Sequence, residues 1–234
     1  MVELSNTSEE DSPVAMRLKM SAEGLIRKPN PKLFPKDILK LYTVFDYRHA
    51  TAILTTEFKD EFDDLCLALR QFRFTDEQVK ASGGNESAIP KTFSSILRPL
   101  KWGKGHLKAR LMVDNDEASS DTHEIDYVKN RIAFDLEWNS KDQTFDRDLA
   151  AFRAFFDYGR ISVGVIVTRD SSLTPYFHSL GTFVDKYKVE REVSDKYGAS
   201  TTHIDQLLRR LKAGRSGGCP VLALGITPAL RKEK

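Results

Sequence analysis

Between Ile132 and Asn139 the chain alternates strictly. Ile132, Phe134, Leu136 and Trp138 fall on one parity, and Ala133, Asp135, Glu137 and Asn139 on the other. A period of two marks a strand whose two faces meet different surroundings. One face is large and apolar and demands a core. The other carries two carboxylates and an amide in a row, although aspartate is a poor strand former. The preceding stretch, His123 to Val128, also reads as a strand, and Lys129-Asn130 reads as a two-residue hairpin turn. With that loop, Val128 faces Arg131, Asp126 faces Ala133 and Glu124 faces Asp135, and facing residues project to the same side of a sheet. Glu124 and Asp126 then share a patch with Asp135, Glu137 and Asn139. A loop one residue longer flips one strand and disperses the patch.

Four carboxylates on one small patch repel one another, and without a cation some must protonate or splay apart. A hard divalent ion such as Mg2+ resolves the conflict, because it takes carboxylate oxygens and keeps several waters. The plainer alternative is a strand face whose acids point into water. The aspartate amid bulky apolar residues favours a site.

Asp126, followed by Asp135-Leu136-Glu137, fits the spacing D-x8-[D/E]-x-[K/Q/E] and resembles the PD-(D/E)xK nucleases. The longer run from Ile125 to Asp142, continued by Phe145-Asp146-Arg147-Asp148-Leu149, resembles the BglII/BstYI-type restriction endonucleases. So do Gly83-Gly84-Asn85-Glu86-Ser87 and Gly217-Gly218-Cys219-Pro220-Val221-Leu222. The resemblance spans roughly residues 45–226 and implies an α/β fold: a mixed central sheet flanked by helices, built on the PD-(D/E)xK core. It implies a type II enzyme that hydrolyses double-stranded DNA with Mg2+, at a short palindromic site, leaving 5′-phosphate and 3′-hydroxyl ends. It further implies a two-fold homodimer, a cognate DNA methyltransferase acting on the same site, and a prokaryotic cytoplasm. On this reading Asp126, Asp135 and Glu137 hold the metal, Glu137 ligates or orients the attacking water, and Asn139 and Lys141 support them. The departure is Glu137, which stands where most of the superfamily carries lysine. Asp126 with Glu137 and Asn139 therefore stays open as an alternative set.

Composition narrows the remaining classes. The chain has 234 residues, 40% of them hydrophobic and 30% charged, which suits one globular domain with a polar tail over 1–12. No apolar run is long enough for a membrane span, and no basic start with an apolar core suggests a signal peptide. Cys66 and Cys219 read as buried apolar residues, with no Cys/His cluster for zinc. A net charge of +2 excludes bulk basicity, so a DNA contact requires basic residues gathered on one face.

Taken in order, Phe58 to Phe72 reads as an amphipathic helix, its acids facing water or, in the case of Glu61, reaching the metal patch. The Gly83-Gly84 turn ahead of a helix exposes free backbone N–H groups suited to a phosphate. This makes Asn85, Ser87 and Lys91 candidates for DNA contact, the alternative being a helix cap at Ser87. Lys101 and Lys104 beside Trp102 are candidates of the same kind, unless Trp102 is a core anchor. Residues 111–121 read as a surface loop. Phe145 to Tyr158 reads as a helix ended by Gly159, followed by the apolar strand Ile161 to Arg169, a βαβ crossover. Tyr176 to Lys196 reads as helical, Ile204 to Lys212 as a short basic helix, and Cys219 to Ile226 as a buried strand. Base-reading residues are expected in the loops at 83–106 and 169–174 or in 199–217. Two rival functions stand beside the first: a structure-selective repair or transposon nuclease on the same core, and a non-catalytic DNA-binding protein.

Overall fold

The structure, a computed structural model, describes residues 25–81, 87–114 and 116–232. The chain opens with β1 (Ile26–Arg27), α1 (Lys36–Leu41) and β2 (Tyr42–Tyr47), then α2 (Ala50–Glu57), α3 (Lys59–Gln71), α4 (Asp76–Lys80) and α5 (Ala88–Leu97). A meander follows: β3 (Gly103–Val113), β4 (Asp116–Lys129) and β5 (Ile132–Glu137). Then come α6 (Thr144–Asp157), β6 (Val163–Arg169), α7 (Thr174–Ser179), the small hairpin β7 (Thr182–Val184) and β8 (Glu190–Glu192), α8 (Val193–Lys196), α9 (Ile204–Lys212) and β9 (Val221–Ile226).

Seven strands form one mixed sheet in the order β1-β2-β9-β6-β5-β4-β3. Strands β5, β6 and β9 run parallel, and antiparallel strands extend the sheet on both sides. Every residue of β5, β6 and β9 is buried, as expected for parallel strands covered on both faces. One face packs Phe134, Leu136, Trp138, Val165 and Leu224 against α3, α5 and the aromatic cluster of Phe72, Phe74 and Phe93. The other packs Ala133, Ile166 and Ala223 against α6 and α9.

The crossover helix α6 forms because Phe145, Leu149, Phe152 and Phe155 recur at three- and four-residue steps and all are buried. It stops where Gly159 adopts a left-handed φ of 66°, at which a side chain is strained. The buried thiols of Cys66 and Cys219 are free, and burial pushes both up to about 12. No helix among the described residues is long and apolar enough to cross a membrane.

Three local expectations change. Residues 111–121 are not a loop: β3 and β4 continue as a long paired ribbon, turning near Asp114. Backbone pairing runs along this ribbon, and after Leu111-Met112-Val113 the residues at 114–121 are almost all polar, with no apolar alternation to mark a strand. Tyr176 to Lys196 is not one helix. Gly181 takes φ 68°, and the Asp185 carboxylate accepts from the Tyr187 and Val189 amides, folding the segment into the β7–β8 hairpin. The β4–β5 turn is Asn130-Arg131 rather than Lys129-Asn130, with Lys129 paired to Ile132 and Asn130 in the left-handed region at φ 51°. Asparagine tolerates that conformation better than lysine.

Candidate active site

The turn shift matters little for the patch, because the loop keeps two residues and every side chain keeps its face. It slides Asp126 from opposite Ala133 to opposite Asp135. The backbone ladder ends at Tyr127–Phe134, and the Asp126 amide donates instead to the Asp135 carboxylate at 2.8 Å. One step earlier β4 carries an extra residue: Gly103 pairs with Val128 but Gly105 with Ile125. This β-bulge resets the alternation. Ile125 turns into the core, and Glu124 turns out to face His106 Nδ1 at 3.3 Å on β3. Glu124 is thus removed from the patch that strict alternation predicts. Gly105 is needed here, because a Cβ would stand 2.5 Å from Val128 Cγ2.

What remains is a carboxylate cluster at the carboxyl end of β5, completed from α6. Asp135 and Glu137 are buried, Asp126 is exposed at its rim, and Asp148 of α6 is buried beneath. Burial and then the nearby Asp148 push the Asp135 carboxyl well above the usual range, with the Asp126 amide opposing. Burial and Asp148 push Glu137 up to about 8, while Ser140 and Arg147 pull it down. Burial raises Asp148 to about 6 against the lowering pull of Arg147. Arg147 is the cation here. Its guanidinium lies 3.1 Å from Asp148 Oδ1 and 3.9 Å from Glu137 Oε1.

The end of β5 is held from below. Thr168 Oγ1 donates to the Glu137 carbonyl at 2.7 Å, and Arg169 Nε to the Trp138 carbonyl at 2.7 Å. Arg169 also donates to Thr201 Oγ1 and lies over the rings of Phe177 and Tyr197. The Thr202 amide donates to the Ser140 carbonyl at 2.9 Å. These bonds fix the main chain on which Glu137 and Asn139 sit.

Above the cluster opens a cleft of about 520 Å³, lined by Asp126, Glu137, Asn139, Ser140, Ser87, Arg98 and Lys104, among others. Of the other residues singled out from sequence, Lys101 is exposed in the turn before β3, where it takes φ 69°. Lys91, exposed on α5, lines a separate shallow depression with Arg98. Ser87 is the N-cap of α5, but its hydroxyl caps no amide. Asn85 lies outside the described residues. Trp102 is a core anchor, buried and donating to Asp64 Oδ2 at 3.0 Å, and the same oxygen takes Lys129 Nζ at 2.5 Å.

The donor set is carboxylate and amide oxygen, which suits a hard divalent cation. Two buried oxygens, Asp148 Oδ2 and Asn139 Oδ1, have no hydrogen-bond partner. As the side chains stand, no three acidic, histidine or cysteine groups among the described residues converge closely enough to hold an ion.

Sequence reading missed Asp148 and Arg147 as parts of the site. The signal was present: Asp148 falls on the buried stripe of α6 between Phe145, Leu149 and Phe152, where the helical period calls for an apolar residue.

A search of curated proteins returns no significant match. The family model for restriction endonuclease BglII/BglIII matches residues 42–226, which takes in every strand of the seven-stranded sheet except β1, and with them the carboxylate cluster. That family consists of type II site-specific endonucleases, hydrolases that bind and cut double-stranded DNA and generally use a divalent metal. The chain belongs to the BglII/BglIII family of restriction endonucleases.

Proposed function

We propose that the cluster at the end of β5 is the hydrolytic centre, with Mg2+ as its cation. Asp126, Asp135 and Glu137 would hold the ion, and Asn139, which lines the cleft, keeps a buried amide oxygen without a partner beside them. When bound, a divalent cation supplies Lewis acidity toward the scissile phosphate and lowers the pKa of a water that attacks in line. The chain's own part is to hold and orient. Asp135 is fixed by the Asp126 amide, Glu137 by the backbone anchors beneath β5. Lys104 and Arg98 line the cleft and neutralise the phosphate backbone. The products are a 5′-phosphate and a 3′-hydroxyl. Two copies related by a two-fold axis cut the two strands of a short palindrome, and a cognate methyltransferase protects the host's own sites.

The observation that carries this reading is the crowding of four carboxylates, three of them buried, beside a cleft that Asp126 and Glu137 line together with Arg98 and Lys104. Burying that much like charge is costly unless a cation is to join it. Asp126→Asn is expected to abolish cleavage of plasmid DNA while leaving its retention on a native gel unchanged. Normal cutting by the variant overturns the assignment.

A further inference from the structure

The motif on β5 carries an acid, Glu137, at its last position, so the strand itself brings no positive charge to the cluster. Arg147 brings one from the first turns of α6. Its Nε and Nη2 donate to Asp148 Oδ1 at 3.2 and 3.1 Å, and Nη2 stands 3.9 Å from Glu137 Oε1. The side chain as a whole is 72% exposed, whereas those of its two acidic neighbours, Asp148 and Glu137, are 4% and 8% exposed. A guanidinium held by buried acids but largely exposed is well placed to leave. Asp148 still keeps a second oxygen with no partner, so Arg147 only partly satisfies the cluster.

We propose that Arg147 is a tethered counter-ion: it neutralises Asp148 and Glu137 when no cation is bound and swings off them when a divalent cation enters. This rests on the cluster being the cation site. Arg147 is a positioning residue, since it acts on Asp148 and Glu137 rather than on substrate. It keeps the acids together while the site is empty, and it competes with the cation for Glu137. The cation affinity of the free enzyme is thereby set lower than the carboxylates alone would give. Arg153, six residues further along α6 and paired with Asp157 at 3.5 Å, carries the same charge away from the cluster and serves as the control.

The test is calorimetric titration of Mg2+ into the full chain without DNA, for wild type, Arg147→Gln, Arg147→Lys and Arg153→Gln. Thermal unfolding of each is followed with and without Mg2+. Removing an exposed competing charge is expected to tighten Mg2+ binding about fivefold in Arg147→Gln. Arg147→Lys should stay near wild type and Arg153→Gln should not change. Arg147→Gln should melt lower than wild type without Mg2+ and recover when it is added. If wild type binds Mg2+ and Arg147→Gln binds it equally or more weakly, the counter-ion role is wrong while the cation site stands. If neither binds Mg2+, the cation site itself is wrong and the counter-ion role falls with it.

Discussion

The two faces of β5 are equally buried and do opposite things. Phe134 and Leu136 are 1% and 6% exposed, Asp135 and Glu137 4% and 6%. On the apolar face each side chain contributes about 1.5–3 kcal/mol by leaving water. Phe134 also packs against Tyr127 and Phe93, with ring centroids 5.5 and 5.7 Å away. On the acidic face the same burial costs stability, because carboxylates lose their hydration and face one another across a small space. One strand thus anchors the fold with one parity and holds its least favourable groups with the other. Backbone anchors from Thr168 and Arg169 keep that strand end in place, so the acids are positioned by the scaffold and not by any gain of their own.

That contrast can be broken most sharply with neighbouring substitutions. Asp135→Asn is expected to lower the cleavage rate on the order of a thousandfold or more, because the proposed assignment makes it a ligand of the cation, whose charge stabilisation is worth several kcal/mol. Its melting temperature should hold or rise. Phe134→Ala should do the reverse, costing about 3–5 kcal/mol in chemical denaturation. If Asp135→Asn unfolds the protein, the acidic face is structural and the contrast fails.

A smaller effect sharpens the same point through pH. Glu137 is raised to about 8 and Asp148 to about 6 in the folded state, both above their ordinary values. Between the ordinary and the raised values the folded protein binds more protons than the unfolded chain, so stability falls as pH rises. Without metal, the melting temperature should therefore drop from pH 5 to pH 8.5. Glu137→Gln should flatten that drop, and Mg2+ should offset it at the alkaline end. A melting temperature that rises across this range contradicts the account. The smallest effect belongs to Glu124, which the bulge turns toward His106. Glu124→Gln should change cleavage less than about twofold and stability within about 0.5 kcal/mol. A large loss of cleavage would return Glu124 to the site.

The alternation of residues 132–139 was enough to read the strand, its core face and its acidic face, because a period of two survives a shifted turn of the same length. The apolar runs and the Gly159 stop likewise gave the β5–α6–β6 crossover. What sequence could not supply was anything that breaks a period. The bulge near Asp126 adds one residue to β4 with no turn residue in that strand to announce it, so strict alternation places Glu124 on the wrong side. The β7–β8 hairpin is folded by the Asp185 side chain onto nearby amides, a contact that apolar spacing does not encode. Asp148 was legible in principle as an acid on a buried helical stripe, but helix and strand converge only in three dimensions.

The most direct measurement is digestion of a plasmid of known sequence by the purified protein, with Mg2+ and with EDTA, followed by sequencing of the ends. The account predicts discrete fragments only with Mg2+, their ends bearing 5′-phosphates at one short palindromic site. Fragments in EDTA, or a Mg2+-dependent smear with no common end sequence, would contradict it.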